Sequence, residues 1–301
     1  MSNGPSSPAA SAEATQAVGQ HLHVTQVPWR LPRAMSRGVA VPEHGGVVLA
    51  GGLLPGDVST GQAYRITFPA GHLQRLPALG TAAHDAAGAM LGGRPAVFGG
   101  GGSSELSVVQ RLGADGSWHA VGRLPGARSD LSAVSYDGGV VVIGGYDGSR
   151  SPRTILRTED GRRVTRLGAL PRGLRYAAVA VIGDSAWVMG GEEEGHELDE
   201  VYAVDLRTGR VRPSGRLPHP LGHAATAVVG DRVLVMGGRT TPDRTTDAMW
   251  WFQPATGDWR RAGHLPYPVA DAPTVSTPDG AYLLGGETPA FTDRVTRVQW
   301  R

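Results

Sequence analysis

Short apolar runs alternate with glycine-rich turns along the whole chain. Six of these runs end in a glycine pair: Gly51-Gly52, Gly99-Gly100, Gly144-Gly145, Gly190-Gly191, Gly237-Gly238 and Gly285-Gly286. Successive first glycines lie 48, 45, 46, 47 and 48 residues apart, a period that marks one supersecondary unit repeated. The fourth unit is the clearest. Small and β-branched residues alternate from Tyr176 to Ile182, Gly183-Asp184 turns the chain, and Ser185 to Met189 leads into Gly190-Gly191. After a polar loop, Val201 to Asp205 is a third run, Arg207-Thr208-Gly209 a turn, and Val211 opens a fourth. Short β-rich runs joined by turn residues at fixed offsets predict consecutive hairpins. Each unit therefore reads as a four-stranded antiparallel meander, with no helical period to interrupt it.

The other units agree. First hairpins turn at Asp137-Gly138-Gly139, Gly230-Asp231 and Asp279-Gly280, and fourth strands open at Trp118, Val164, Val211 and Trp259. Six residues after each opening stands a Leu-Pro pair: Leu124-Pro125, Leu170-Pro171, Leu217-Pro218 and Leu265-Pro266. One four-stranded sheet cannot bury both of its faces, but six packed radially around an axis can. The expected fold is an all-β, six-bladed propeller over residues 23–301, with residues 1–22 a disordered tail. The sixth unit reaches only its third strand at Trp300, and the segment from His23 to Trp29 carries the missing one, with Leu31-Pro32 at the same six-residue offset from Thr25. The opening strand is thus expected to close the last blade, which removes free sheet edges.

Composition narrows the chemistry. The chain has no cysteine, which removes disulfides, thiolate nucleophiles and cysteine metal sites. It has no lysine either, so all 29 basic residues are arginine, and neither Schiff-base chemistry nor a P-loop is available. The net charge is +2 with arginines scattered over every unit, so there is no basic stripe for nucleic acid. No apolar stretch approaches the roughly 20 residues that span a bilayer, and the first 22 residues lack the pattern of a signal peptide. The expectation is a cytoplasmic monomer with no nucleic-acid or membrane partner and no cofactor.

The glycine pair, an aromatic about a dozen residues on (Tyr64, Tyr202, Trp250) and a later tryptophan (Trp118, Trp259) resemble kelch repeats. Units two, three and six depart from that pattern, with Val109, Ile155 and Thr296 read at the aromatic position. The resemblance implies that the inner strands line a channel and that one face, formed by the blade-connecting loops and those after the glycine pairs, binds the ligand.

Fourteen residues before each first glycine stand Arg37, Asp85, Asp130, Tyr176, His223 and Asp271. Six polar residues in one ring exceed what packing requires, although a wet channel mouth also accommodates them and Gly222-His223-Ala224 resembles a structural kelch signature. Arg128 precedes Ser129-Asp130, and the resemblance implies that this arginine reaches into the channel toward acidic partners. Arg175 is a further basic candidate. The positions after the glycine pairs add Tyr146, Glu192, Arg239 and Glu287 to the same face, whereas Leu53 and Gly101 add nothing polar. The stretch Glu192-Glu193-Glu194-Gly195-His196 offers carboxylate and imidazole for a metal or for acid–base work, or is simply a solvated loop. It does not reproduce the iron-binding pattern of nitrile-specifier kelch proteins, and no metal site is expected. The copper chemistry of galactose oxidase is excluded for want of a cysteine.

Two functions follow as expectations. One is a binding module that takes a small polar or acidic ligand, or a protein partner, through Arg37, Asp85, Arg128, Tyr146, Arg175, Arg239 and Glu287. The other is a cofactor-independent enzyme, an epimerase- or mutarotase-like isomerase, as kelch proteins similar to sialic acid mutarotase imply. Its acid–base residues would be Tyr176, His223, Asp130, Asp271 and Glu192.

Overall fold

The computed structural model describes residues 22–300, and the tail expected over residues 1–22 lies, but for Leu22, outside them. Six four-stranded antiparallel sheets are arranged as the period requires. The fourth blade is representative: Ala178–Ile182, Ser185–Met189, Glu200–Asp205 and Val211–Arg216 pair in chain order from the axis outward. Among the described residues no helix is long and apolar enough to cross a membrane.

The sixth blade is built from both ends of the chain. Its inner strands Thr274–Thr277 and Gly280–Leu284 continue into Val295–Trp300, and Leu22–Gln26 pairs with that last strand, Val24 opposite Val298. Leu31 is then buried between the sixth and first blades beside Val47, Tyr282 and Val295.

Second strands carry continuous apolar runs because both of their faces are covered. In the third blade Val140 and Val142 pack toward the second blade, while Val141 and Ile143 pack toward the fourth. Alternation along a strand thus feeds two separate cores, and the molecule holds six of them, one at each interface. The leucines of the Leu-Pro pairs are all buried in these interfaces.

The glycine pairs stitch neighbouring blades together. Gly190 has φ +60°, and a Cβ there would stand 2.1 Å from the Leu221 carbonyl oxygen. Gly191 (φ +104°) donates its N–H to that same carbonyl at 2.9 Å. The identical bond runs from Gly52 to Ala83, Gly100 to Arg128, Gly145 to Leu174, Gly238 to Val269 and Gly286 to Met35. Only glycine combines that φ with so close a carbonyl, which is why the pair recurs.

Strand register moves one expected feature. Tyr64, Tyr202 and Trp250 stand opposite Leu49, Val188 and Val235, each two residues before the first glycine. The residues in that register in the second and third blades are Gln110 and Leu156, not Val109 and Ile155. Val109 and Ile155 face the following blade instead. Gln110 is buried and bonds both the N–H and the carbonyl of Thr81, at 2.8 and 2.9 Å. An amide thereby clips the preceding linker where the first, fourth and fifth blades carry an aromatic ring.

Candidate functional site

The six residues that stand fourteen before each glycine pair come together at the mouth of the channel, just ahead of the inner strands. All six adopt the left-handed backbone region, with φ between 48° for Asp85 and 59° for His223. Such a conformation costs a non-glycine residue about 1–2 kcal/mol, least for aspartate, so a compensating interaction is required. A closed belt of backbone hydrogen bonds supplies it. Asp85 N–H donates to Arg37 O, Asp130 to Asp85, Tyr176 to Asp130, His223 to Tyr176, Asp271 to His223 and Arg37 to Asp271, at 2.8–3.1 Å. The residue before each member bridges to the position after its own glycine pair: Ser36 to Leu53, His84 to Gly101, Ser129 to Tyr146, Arg175 to Glu192, Gly222 to Arg239 and Ala270 to Glu287. Two concentric rings of side chains result on one face.

Their side chains form a single charged network. Arg37 reaches across the axis: Nε donates to Glu287 at 2.7 Å, and Nη1 donates to Asp85 at 3.0 Å and to the Tyr176 hydroxyl at 3.1 Å. Arg175 binds Glu192 through Nε at 3.0 Å and lies 3.3 Å from Asp130. Arg239 pairs with Glu287 and approaches Asp271 to 3.5 Å. His223 holds Asp271 through Nδ1 at 2.7 Å, while its Nε2 lies 3.5 Å from Glu192. The Tyr176 and His223 rings stack at 3.8 Å between centroids.

Layering is the decisive feature. The side chains of Asp85, Asp130, Asp271, Glu192 and Glu287 are 5–9% exposed, whereas those of Arg37, Arg175 and Arg239 are 17–27% exposed. A visitor therefore meets cations that are held in place by buried anions. The ring residues and the starts of the inner strands enclose a cavity of about 200 Å³.

The network separates the proton affinities of its members. Burial opposes the charge on His223, but Asp271 and Glu192 outweigh it and lift its pKa to about 9. The His223 hydrogen bond, helped by Arg175, holds Glu192 down at about 2. Burial pushes Asp85 up to about 7 against the pull of Arg37, and raises Asp130 as well. Burial also drives the Tyr176 phenol far above its ordinary range, with Asp85 and Asp130 adding to it. At neutral pH the site thus holds a protonated imidazole beside ionised Glu192 and Asp271, and a carboxyl at Asp85 poised between its two states.

The profile of the KLHDC2/KLHL20/DRC7 kelch-repeats domain matches residues 118–286, more than half of the chain. The chain belongs to the kelch-repeat family. Among solved structures, "Structure of YjhT" matches with a TM-score of 0.78 and 17% identity, covering 90% of this chain and 95% of that one. At that identity the likeness is one of fold. No curated protein sequence matches.

Of the residues singled out from the sequence, this kelch propeller gathers eleven at its mouth and leaves Arg128 outside it. Arg128 is 5% exposed and donates to the carbonyls of Gly144 and Thr154 and to the Thr154 hydroxyl, at 3.0–3.4 Å. It stands sixteen residues before its glycine pair, where the other units place Met35, Ala83, Leu174, Leu221 and Val269, all buried between blades. Burial pulls its pKa down. Arg128 is a strut between blades and not a contact of the channel, and the apolar column it interrupts is legible in the aligned units.

Two groups escaped the sequence reading. Ser36 donates to Glu287 at 2.9 Å, buried beneath Arg37. His84 lies 2.8 Å from Ser59 through Nδ1 and 3.8 Å from Asp85 through Nε2, with burial and then Arg37 lowering its pKa. Ser59 pairs with Leu53 in the short hairpin after the glycine pair, and the same position holds Glu197, Thr245 and Phe291 in the fourth, fifth and sixth blades, so no constant residue type marked it. His196, in the acidic stretch after Glu192, is exposed and pairs by backbone with Glu193. The described residues hold no cluster of three or more metal-binding side chains.

Proposed function

We propose that this kelch propeller binds a small polar ligand carrying an acidic group, seated at the channel mouth on Arg37, Arg175 and Arg239. The observation that carries this reading is the layering: the arginine side chains are partly exposed while the carboxylates that orient them are buried. Guanidiniums preorganised in this way bind an oxyanion without further ordering of their side chains. Six strained backbones in one belt add support, because such strain concentrates at sites where a fixed geometry matters. Of the three arginines, Arg37 lines the cavity of about 200 Å³, whose size favours a small molecule over a protein partner.

Thermal-shift and calorimetric titration with a carboxylated sugar and its neutral alcohol analogue test the reading. The acid should raise the melting temperature and the alcohol should not. Arg175→Ala and Arg239→Ala should each weaken the acid by about ten-fold or more, the scale of one charge-assisted hydrogen bond. Equal response to acid and alcohol would sink the proposal.

A second reading rests on a different observation, the separation of proton affinities between neighbours. Protonated His223 is a candidate acid and Asp85 a candidate base for a cofactor-independent isomerisation of the bound ligand, with Tyr176 holding the imidazole plane by stacking. Polarimetry or NMR exchange on a reducing sugar acid tests it. Turnover that persists unchanged in His223→Ala combined with Tyr176→Phe would exclude this assignment.

A further inference from the structure

A second depression opens on the same face, beside the mouth. It is lined by Tyr146 and the turn Ser149-Arg150-Ser151 of the third blade, by Glu193, Glu194 and Gly195 of the fourth, and by Arg175. Its volume is about 370 Å³, against about 200 Å³ for the mouth cavity. Ligand pockets ordinarily measure about 300–1,000 Å³, so the mouth alone is small for a ligand site and the groove is not.

Arg175 joins the two. Its guanidinium lies over the Tyr146 ring at 4.9 Å and over the Tyr176 ring at 5.4 Å, and Tyr176 in turn stacks on His223. Four flat groups therefore run as one stack from the groove to the centre of the mouth. Both walls of the groove are fixed locally. Asp147 Oδ1 accepts from Ser149 N–H, Ser149 Oγ and Arg150 N–H at 2.8–3.0 Å, which locks the turn and leaves Arg150 84% exposed. On the other side Arg172 holds Glu193 through Nε at 2.8 Å, using only the Oε2 oxygen.

The lining chooses the ligand chemistry. Two serine hydroxyls, two carboxylates and an exposed guanidinium offer donors and acceptors at close spacing, and the Tyr146 ring is the main apolar surface. A peptide side chain would find little to bury there. A hydroxyl-rich ring would donate to the carboxylates and to Ser149 Oγ, accept from Arg150 and Ser151, and lay a face against tyrosine.

We infer that the groove is the second half of the binding site, and that the ligand is an oligosaccharide ending in a single acidic sugar. The acidic end sits at the mouth and the neutral sugars lie in the groove. This rests on the acidic-ligand reading above and extends it to the body of the ligand.

The test uses glucuronic acid and the di- and trisaccharides in which it is the terminal residue, with an acidic tetrapeptide as the competitor. Calorimetry should show the trisaccharide binding about ten-fold more tightly than the monosaccharide, as two or three added hydrogen bonds require. In Arg150→Ala combined with Glu193→Gln that gain should vanish while the monosaccharide affinity stays within two-fold. Circular dichroism and melting of the variant check that it folds. Binding of the monosaccharide with no gain on lengthening, or a gain that survives in the variant, overturns the groove and leaves the mouth reading standing. Failure of the monosaccharide and the trisaccharide to bind overturns both, and tighter binding of the peptide overturns the sugar assignment.

Discussion

Arg37 enters the channel mouth from the first blade and places Nη1 3.1 Å from the hydroxyl of Tyr176, which belongs to the fourth blade on the opposite side of the axis. The two residues are 139 apart in sequence. A single side chain therefore ties together halves of the ring that share no strand, and it does so among Asp85, Asp271 and Glu287.

Removing that tie should be costly. Arg37→Ala strips Asp85 and Glu287 of a buried counter-charge, and losing one partner of a buried pair costs about 3–5 kcal/mol. With Arg37 one-fifth exposed, a loss of roughly 2–4 kcal/mol is expected in chemical denaturation. Adding Asp85→Asn should restore part of it. A change below about 0.5 kcal/mol, the size of an ordinary surface substitution, would mean that the network does not bear on stability.

Stability should peak on the acid side of neutrality. His223 rises from 6.5 to about 9, so its contribution is complete below 6.5 and is lost as pH climbs through 9. Glu192 falls from 4.5 to about 2, so its contribution is complete above 4.5 and is lost on acidification toward 2. Asp85 rises from 3.8 to about 7; the folded state holds its proton more firmly, and stability declines as pH rises through that interval. Together the three groups place the maximum at about pH 4, where the gain from ionising Glu192 and the loss from ionising Asp85 balance. Melting curves from pH 3 to 10 check this, and Asp85→Asn should flatten the slope between 4 and 7. A maximum above pH 8 would contradict the assignments.

Arg128 should be replaceable by leucine. It is a buried cation bonded to neutral oxygens, with its Nε lacking a hydrogen-bond partner, in a column that is apolar in the other five units. Replacing a buried charge by a well-packed apolar side chain is often neutral or stabilising. Arg128→Leu is expected to stay within about 1 kcal/mol of the parent, whereas Arg128→Ala leaves a cavity and costs about 2–4 kcal/mol. Neither should alter ligand affinity, and a large affinity loss in the leucine variant would return Arg128 to the site.

Gly190→Ala combines a left-handed backbone with a Cβ 2.1 Å from a carbonyl oxygen. A loss of about 2–4 kcal/mol is expected, while Gly183→Ala, in an open turn with nothing within 4 Å, should cost less. Equal effects in thermal denaturation would show that the blade-to-blade stitch is not what the glycine pair provides.

Truncation to residue 33 removes Leu22–Gln26 and the buried Leu31. It should lower the melting temperature by about 10 °C or more and promote self-association through the uncovered edge of Val295–Trp300. Light scattering and calorimetry report both. A truncated chain as stable as the parent, with no added self-association, would refute closure of the sixth blade by the opening strand.

The amino-acid sequence by itself determined the number of blades, their four-stranded form, the closing strand and the six positions of the inner ring. Each of those rests on local chemistry that repeats: alternation along a strand, a turn residue at a fixed offset, a glycine where only glycine fits. Tertiary structure alone decided which ring residues pair. Arg37 with Tyr176 and His223 with Asp271 are contacts between residues of different blades, 139 and 48 apart, set by how blades face one another and not by any repeat. It also decided the layering of cations over anions, the inward burial of Arg128, the neighbourhood of Ser59 and His84, and the register that puts Gln110 where Val109 was expected. Backbone periodicity is written in every unit, whereas the direction a long side chain takes depends on partners that the chain brings close only once the ring has closed.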